Sequence, residues 1–261
     1  MSVNADWLIP DWPAPANVHA VCTTRLGGVS AAPFESFNLG DHVGDQPLAV
    51  AANRATLQQG LGAKPVFLTQ VHGTHAVGLT ADTPDGTTAD ACFTAQPGLA
   101  CTIMVADCLP VLLTDTQGRL VGVAHAGWRS LAGQGGHGVL EQLIKPFRAL
   151  ASVHPAQVAP EIIAWLGPCI GPQAFEVGPE VRDAFVAENQ RALEMFVTHV
   201  SGKWWANLPG LARLRLAALG VTQVYGNDGS PAWCTVSNPS RYFSYRRDGV
   251  TGRLAACIWL D

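Results

Sequence analysis

Three reactive side chains stand out along the chain: His72 in QVHG, Cys108 in ADCLP and His125 in AHAGW. Each lies where an apolar, strand-like run gives way to glycine or proline. Imidazole nitrogen and thiolate sulfur are good zinc donors, and three protein ligands leave a fourth position for water, whose pKa the metal lowers toward 7. Asp107 is next to the thiol, too close in sequence to be an easy fourth ligand. Its expected part is to orient a ligand histidine or to move a proton. Spacings of 36 and 17 residues form no compact metal motif, so plainer readings stand beside this one. The histidines could cap strands while Cys108 packs as a small hydrophobe. A metal-free dyad would make Cys108 a nucleophile, with His125 or His72 as its base. His75 is a further ligand candidate, but a strand would turn it to the face opposite His72.

A second set of polar residues lies in loops. TTRLGGVS places Arg25 in a glycine-rich turn, FNLGDHVGD gathers Asn38, Asp41, His42 and Asp45, and HAGWRS carries Arg129. RYFSYRRDGVTGR holds Arg241, Arg246, Arg247 and Arg253 among aromatics. Singly, such arginines are ordinary surface charges. Together, their planar forks suit phosphate or carboxylate.

These residues need rigid elements behind them. The sequence predicts strands over 18–25, 65–73, 119–128 and 161–172, in CTIMVA and LPVLLTD on either side of Asp107-Cys108, and in TQVYG, YFSYRR and GRLAACIWL. It predicts helices over 46–62, 138–152 with Pro146 as a possible kink, 178–190 and 208–220. Several strands are adjacent and others alternate with helices. The expected fold class is therefore α+β, a single domain over 1–261 with mixed β-sheets flanked by helices.

Composition sets the bounds. The chain has 261 residues, 48% hydrophobic and 14% charged, enough to build a core without disulfides or metal. A net charge of −4 argues against nucleic acid or an anionic membrane as the main partner. Seven cysteines, without CxxC spacing, fit reduced thiols and a cytoplasmic location. Neither a secretory signal nor a membrane-spanning run is visible.

Taken together, TTRLGGVS, FNLGDHVGD, NRATL, FLTQVHGT, ADA, ADCLPVLL, AHAGWR, LGPCIGP with FEVGPEV, and YFSYRRDGVTGRLAACIWL resemble the YfiH family. These are laccase-domain proteins, also called multicopper polyphenol oxidoreductases and purine nucleoside phosphorylases. The pieces follow in order from about residue 21 to 260. The resemblance implies a metal, usually zinc, on His72, Cys108 and His125, within a layered sandwich of mixed sheets and helices. It further implies phosphorolysis of adenosine, guanosine, inosine and methylthioadenosine, together with adenosine deamination. Copper-dependent phenol oxidation and an amidase editing peptidoglycan precursors are alternatives. One departure is Asn207 in KWWANLPG, where an acidic residue is expected.

The expectation is a zinc enzyme, with copper possible, acting on a purine nucleoside with phosphate. Cys108, Asp107 and His125 are its catalytic residues, and Arg25, Asn38, Arg129, Arg246 and Arg247 bind substrate or phosphate. A multicopper oxidase would need paired His-x-His motifs, and the eight histidines form none. For deamination, Asp107 is the acid. For phosphorolysis, the arginines form a clamp. Neither nucleic acid nor membrane is an expected partner, and the chain is expected to be a monomer or weak homo-oligomer. A non-enzymatic metal-binding role would give metal uptake without turnover.

Overall fold

Runs that are apolar at every position suit strands covered on both faces. Leu99–Val105 and Leu109–Asp115 are buried throughout, and the Asp107-Cys108 junction joins them. In the computed structural model, which describes residues 4–153 and 161–261, these two strands belong to different sheets. The first sheet has the order Val18–Cys22, Leu254–Leu260, Leu99–Val105, Lys64–Thr69, Thr87–Thr88. The second has the order Gln223–Gly226, Ile162–Leu166, Leu109–Asp115, Val121–Ala126, Ala91–Thr94, Ala76–Gly78. Both mix parallel and antiparallel pairs. A small third sheet joins Glu176–Val177, Trp204–Ala206 and Phe196–Thr198.

The helices are α1 (Pro47–Leu61), α2 (Trp128–Ala132), α3 (Val139–Val153), α4 (Pro179–Val186), α5 (Leu208–Ala218) and α6 (Tyr245–Asp248). Alternation along the strands sorts the core into layers. Cys101, Ile103, Val105, Leu254 and Ala256 meet Leu112, Val121, Val123 and Trp165 between the two sheets. Their neighbours Ala100, Met104, Ala255 and Cys257 turn outward, into one cluster with Leu57 and Leu61 of α1. On the far side, Val111, Leu113 and Ala124 pack with Leu140, Leu143 and Ile144 of α3 and with Leu211 and Leu216 of α5. The result is a single mixed α/β domain in the order helix, sheet, sheet, helices. Burying one such leucine or isoleucine contributes roughly 1.5–3 kcal/mol.

Two expectations need correcting. The stretch 178–190 is not one helix: α4 stops at Val186, and the Asn189 side chain caps a separate 3₁₀ turn, Gln190–Met195. YFSYRR is not a strand either. The Ser244 side chain accepts from the Arg247 N–H and starts the short helix α6, because a serine at that offset offers the backbone a helical turn. Elsewhere the elements fall close to expectation, and α3 continues past Pro146. Among the described residues, no helix is long and apolar enough to cross a membrane.

Candidate metal centre

The two sheets bring His72, Cys108 and His125 together, with all three donor atoms within 4.8 Å of one another. His72 lies just beyond the Lys64–Thr69 strand of the first sheet. Cys108 sits where the chain passes from one sheet to the other. His125 belongs to the second sheet, in register with Pro110. His72 Nε2 is 3.6 Å from Cys108 Sγ, and the histidine ring centroids are 4.7 Å apart. His125 is buried, Cys108 is half-buried and His72 is exposed. Gly127 makes the approach possible, because a Cβ there would come within 2.9 Å of His72 Cδ2 and 3.0 Å of Cys108 Sγ. His75 is exposed and is not part of the donor group.

Asp90, within the ADA motif but not singled out by its spacing, organises two of these ligands. It is fully buried. Its carboxylate meets His125 Nδ1 at 2.9 Å and accepts from the backbone N–H groups of Val71, His72 and Gly73. This leaves His125 Nε2 for the Cys108 side, the pattern of a carboxylate orienting a metal-binding imidazole. His72 holds a left-handed backbone, φ 57°. A non-glycine residue pays about 1–3 kcal/mol for such a conformation, and the bond from its N–H to Asp90 helps to hold it. Gln70 adds a brace: its amide exchanges two bonds with the Met104 backbone, at 2.8 and 2.7 Å, tying the Lys64–Thr69 strand to Leu99–Val105. The signal for Asp90 was present in the sequence. A carboxylate between two alanines at the head of a buried strand requires partners.

Electrostatics favour the donor forms. Burial alone would raise the Cys108 thiol, but the His125 charge and hydrogen bonds from His125 and His72 bring it down to about 6. Burial opposes charge on His125, yet the Cys108 thiolate and Asp90 raise it to about 9. The Asp90 carboxyl is likewise opposed by burial but held below its usual range by His125 and the loop amides. By contrast, burial pushes Cys22, Cys101 and Cys169 upward, and Cys257 to about 12. Two ring nitrogens, a favoured thiolate and an orienting carboxylate fit a zinc-type ion; the same donor set also suits copper.

The donors open into a cavity of about 540 Å³, lined on its apolar side by residues such as Met104, Ile170 and Phe175. Asp107, Arg246, His42 and Arg253 also line it. Asp107 touches neither ligand histidine through a hydrogen bond. Its two oxygens accept from Thr235 Oγ1 at 2.6 Å and from the Arg246 N–H at 2.7 Å, while its backbone is held at φ 93°. The expected orienting part therefore falls to Asp90, and Asp107 instead ties α6 to the Cys108 shoulder.

The other expected substrate residues do not line this cavity. Arg25 donates to the Glu35 and Pro239 carbonyls and lies over Phe243. Asn38 is fully buried, bonded through its side chain to Gly40, Asp45 and the Arg253 N–H. Arg129 is exposed and lies over Trp128. Arg247 pairs with Asp248 and donates to the Thr235 and Tyr242 carbonyls. Only Arg246 of that set reaches the cavity, while His42 and Arg253 line it although the motifs left them unassigned. Asn207, the departure from the expected pattern, caps α5 through its side-chain oxygen and the Gly210 N–H. Asparagine and aspartate serve that place equally.

Fold and site thus define a single-domain α/β protein with a His-Cys-His donor set in the lining of a cavity. The chain belongs to the family described as multi-copper polyphenol oxidoreductase laccase, whose model matches residues 19–261, and the resemblance read from the motifs is borne out. It is 50% identical over 256 residues to a protein of Pseudomonas aeruginosa named purine nucleoside phosphorylase, covering 98% of each chain. It is 46% identical over 255 residues to an Escherichia coli protein named purine nucleoside phosphorylase YfiH, covering 97% of this chain and 98% of that one. Among solved structures, a Neisseria meningitidis protein matches with TM-score 0.87 and 46% identity, over 98% of this chain and 99% of that chain.

Proposed function

We propose that the protein is a zinc-dependent purine nucleoside phosphorylase, cleaving adenosine, guanosine, inosine or methylthioadenosine with phosphate to free base and ribose 1-phosphate. Adenosine deamination is a side activity of the same site. The observation that carries this reading is the three-donor cluster lining a cavity whose size suits a small ligand, in a chain half-identical to a protein named for this reaction.

In this reading His72, Cys108 and His125 hold the ion, and Asp90 fixes the orientation of His125. When bound, the ion would supply Lewis acidity within the cavity. Met104, Ile170 and Phe175 give an apolar wall against which a purine can lie. Arg246 brings positive charge, and Asp107 holds its loop in place. Asp107 also lines the cavity and is the proposed proton-transfer residue for deamination, working from an oxygen that Thr235 or Arg246 now occupies. The protein acts on small molecules in the cytoplasm, as a monomer or weak homo-oligomer.

Copper-dependent phenol oxidation is the second reading, favoured by the family description and by an N/S donor set that copper also accepts. The discriminating experiment incubates metal-defined protein with adenosine, with and without phosphate. Adenine forming only with phosphate supports phosphorolysis, and inosine forming without it supports deamination. Neither product from the zinc-loaded protein, together with phenol oxidation by the copper-loaded one, would overturn the proposal.

A further inference from the structure

We infer that Arg253, flanked by His42 and Arg246, forms an oxyanion subsite in the cavity that the metal donors line, built to take inorganic phosphate. Arg253 stands immediately before the closing strand Leu254–Leu260. Its backbone N–H is fixed by Asn38 Oδ1 at 2.8 Å. Its stem runs over Gly40, where a Cβ would lie 2.7 Å from Arg253 Cγ. The stem is therefore seated from both ends, by a buried asparagine and by a glycine that leaves it room. This placement explains the buried Asn38 without assigning it to substrate.

The head group is different. Among the described residues, only Nη1 has hydrogen-bond acceptors, the carbonyls of Thr251 and Gly252 at 3.0 and 3.1 Å. Arg253 has no carboxylate partner there, whereas Arg54, Arg119, Arg215 and Arg247 each pair with one. The guanidinium is half-buried, and burial lowers its pKa against the opposing pull of Cys108, Asp107 and Tyr245. A half-buried cation without a direct ion-pair partner carries a desolvation cost that an anionic ligand offsets. A planar fork with free N–H groups is the geometry that binds a tetrahedral oxyanion through two bonds.

The neighbours fit the same purpose. His42 and Arg246 line the cavity with Arg253. Arg246 is braced by the Ala174 and Glu176 carbonyls through Nη1 and by Asp107 through its backbone. Because Arg253 lines the same cavity as His72, Cys108 and His125, an anion held there shares that cavity with the three metal donors. The identity of the anion as phosphate rests on the phosphorolysis reading; the existence of an oxyanion subsite rests on the arginine alone.

The test titrates inorganic phosphate into metal-replete wild-type protein and Arg253→Gln by calorimetry, with metal content and melting temperature measured alongside. Arg253→Gln should weaken phosphate binding by at least about tenfold, the typical value of one charge-assisted bond, with metal content unchanged. In turnover, the KM for phosphate should rise while that for adenosine holds. Wild-type phosphate affinity in the folded variant overturns the inference. Should the variant not fold, wild-type protein reports instead. Saturating phosphate should slow phenylglyoxal modification of Arg253, read by peptide mass spectrometry, and leave exposed Arg241 unaffected; no protection of Arg253 overturns the subsite. Phosphate bound at Arg253 without base release from any purine nucleoside sinks the phosphorolysis reading and leaves the subsite standing. Base release by Arg253→Gln at an unchanged KM for phosphate does the reverse.

Discussion

Asp90 and Asp107 flank the same site and do opposite work. Asp90 is fully buried on the histidine side, with its carboxylate committed to His125 and to three consecutive loop amides. Asp107 is half-exposed on the arginine side, and its partners are a threonine hydroxyl and the N–H of Arg246, the second residue of a four-residue helix. The first arrangement freezes ligand geometry. The second anchors a surface loop that delivers charge to the cavity. Electrostatic environment, and not residue type, separates the two, since either aspartate alone satisfies the chemical description of a helper carboxylate beside a ligand.

That contrast is open to direct attack. The largest effect is expected at the donors themselves: alanine at His72, Cys108 or His125 should abolish stoichiometric metal, measured by mass spectrometry of the digested protein. Base release should then drop more than about 100-fold, exceeding what loss of an outer partner usually costs. All three variants keeping metal and turnover would end the metal assignment. Next comes Asp90→Asn, expected to weaken metal binding about 10- to 100-fold and to lower the melting temperature, because loop amides lose their acceptor. An unchanged metal affinity would remove Asp90 from the site.

A third, intermediate effect concerns the thiol. In metal-stripped protein, Cys108 should be alkylated by iodoacetamide about tenfold faster at pH 7 than an ordinary thiol, which is mostly protonated there. The rate should fall as the pH drops through about 6, where the thiolate is lost; a midpoint above 8 would contradict the His125 pairing. Smaller again is Asp107→Asn. It should retain metal and lower phosphorolysis about fivefold, mainly through the phosphate KM, as expected for one weakened hydrogen bond, while the deamination side activity, for which it is the acid, should fall about 100-fold; metal loss in this variant would erase the distinction from Asp90. The smallest effect is at Arg129→Ala. Removing an exposed guanidinium from Trp128 should change kcat/KM by less than about twofold, and a tenfold loss would return it to the cavity.

How much was legible follows the same division. His72, Cys108 and His125 could be read because each interrupts or ends an apolar run, and strand ends converge. The layers were legible because consecutive positions such as Ile103 and Met104 serve opposite faces. The arginines were misread because a guanidinium in a glycine loop looks alike whether it meets a carbonyl, a carboxylate or open space. Arg25 and Arg247 are consumed by backbone carbonyls from distant segments, and no local pattern encodes that. Asn38 shows the same limit: a polar residue in a loop motif became a fully buried brace. YFSYRR failed for a local reason, since Ser244 captures the chain into a helical turn before aromatic β-propensity takes hold.

The crossover at Cys108 carries a mechanical consequence. One histidine follows the first sheet, the other belongs to the second, and the cysteine sits on the segment stitching them. A cation gripped by all three would act as a rivet through the seam of the sandwich. Occupancy would then bias the whole assembly toward its folded form, by the same mass action through which any native-state ligand favours folding. Chelation would loosen the two halves together, long before either sheet on its own had reason to come apart.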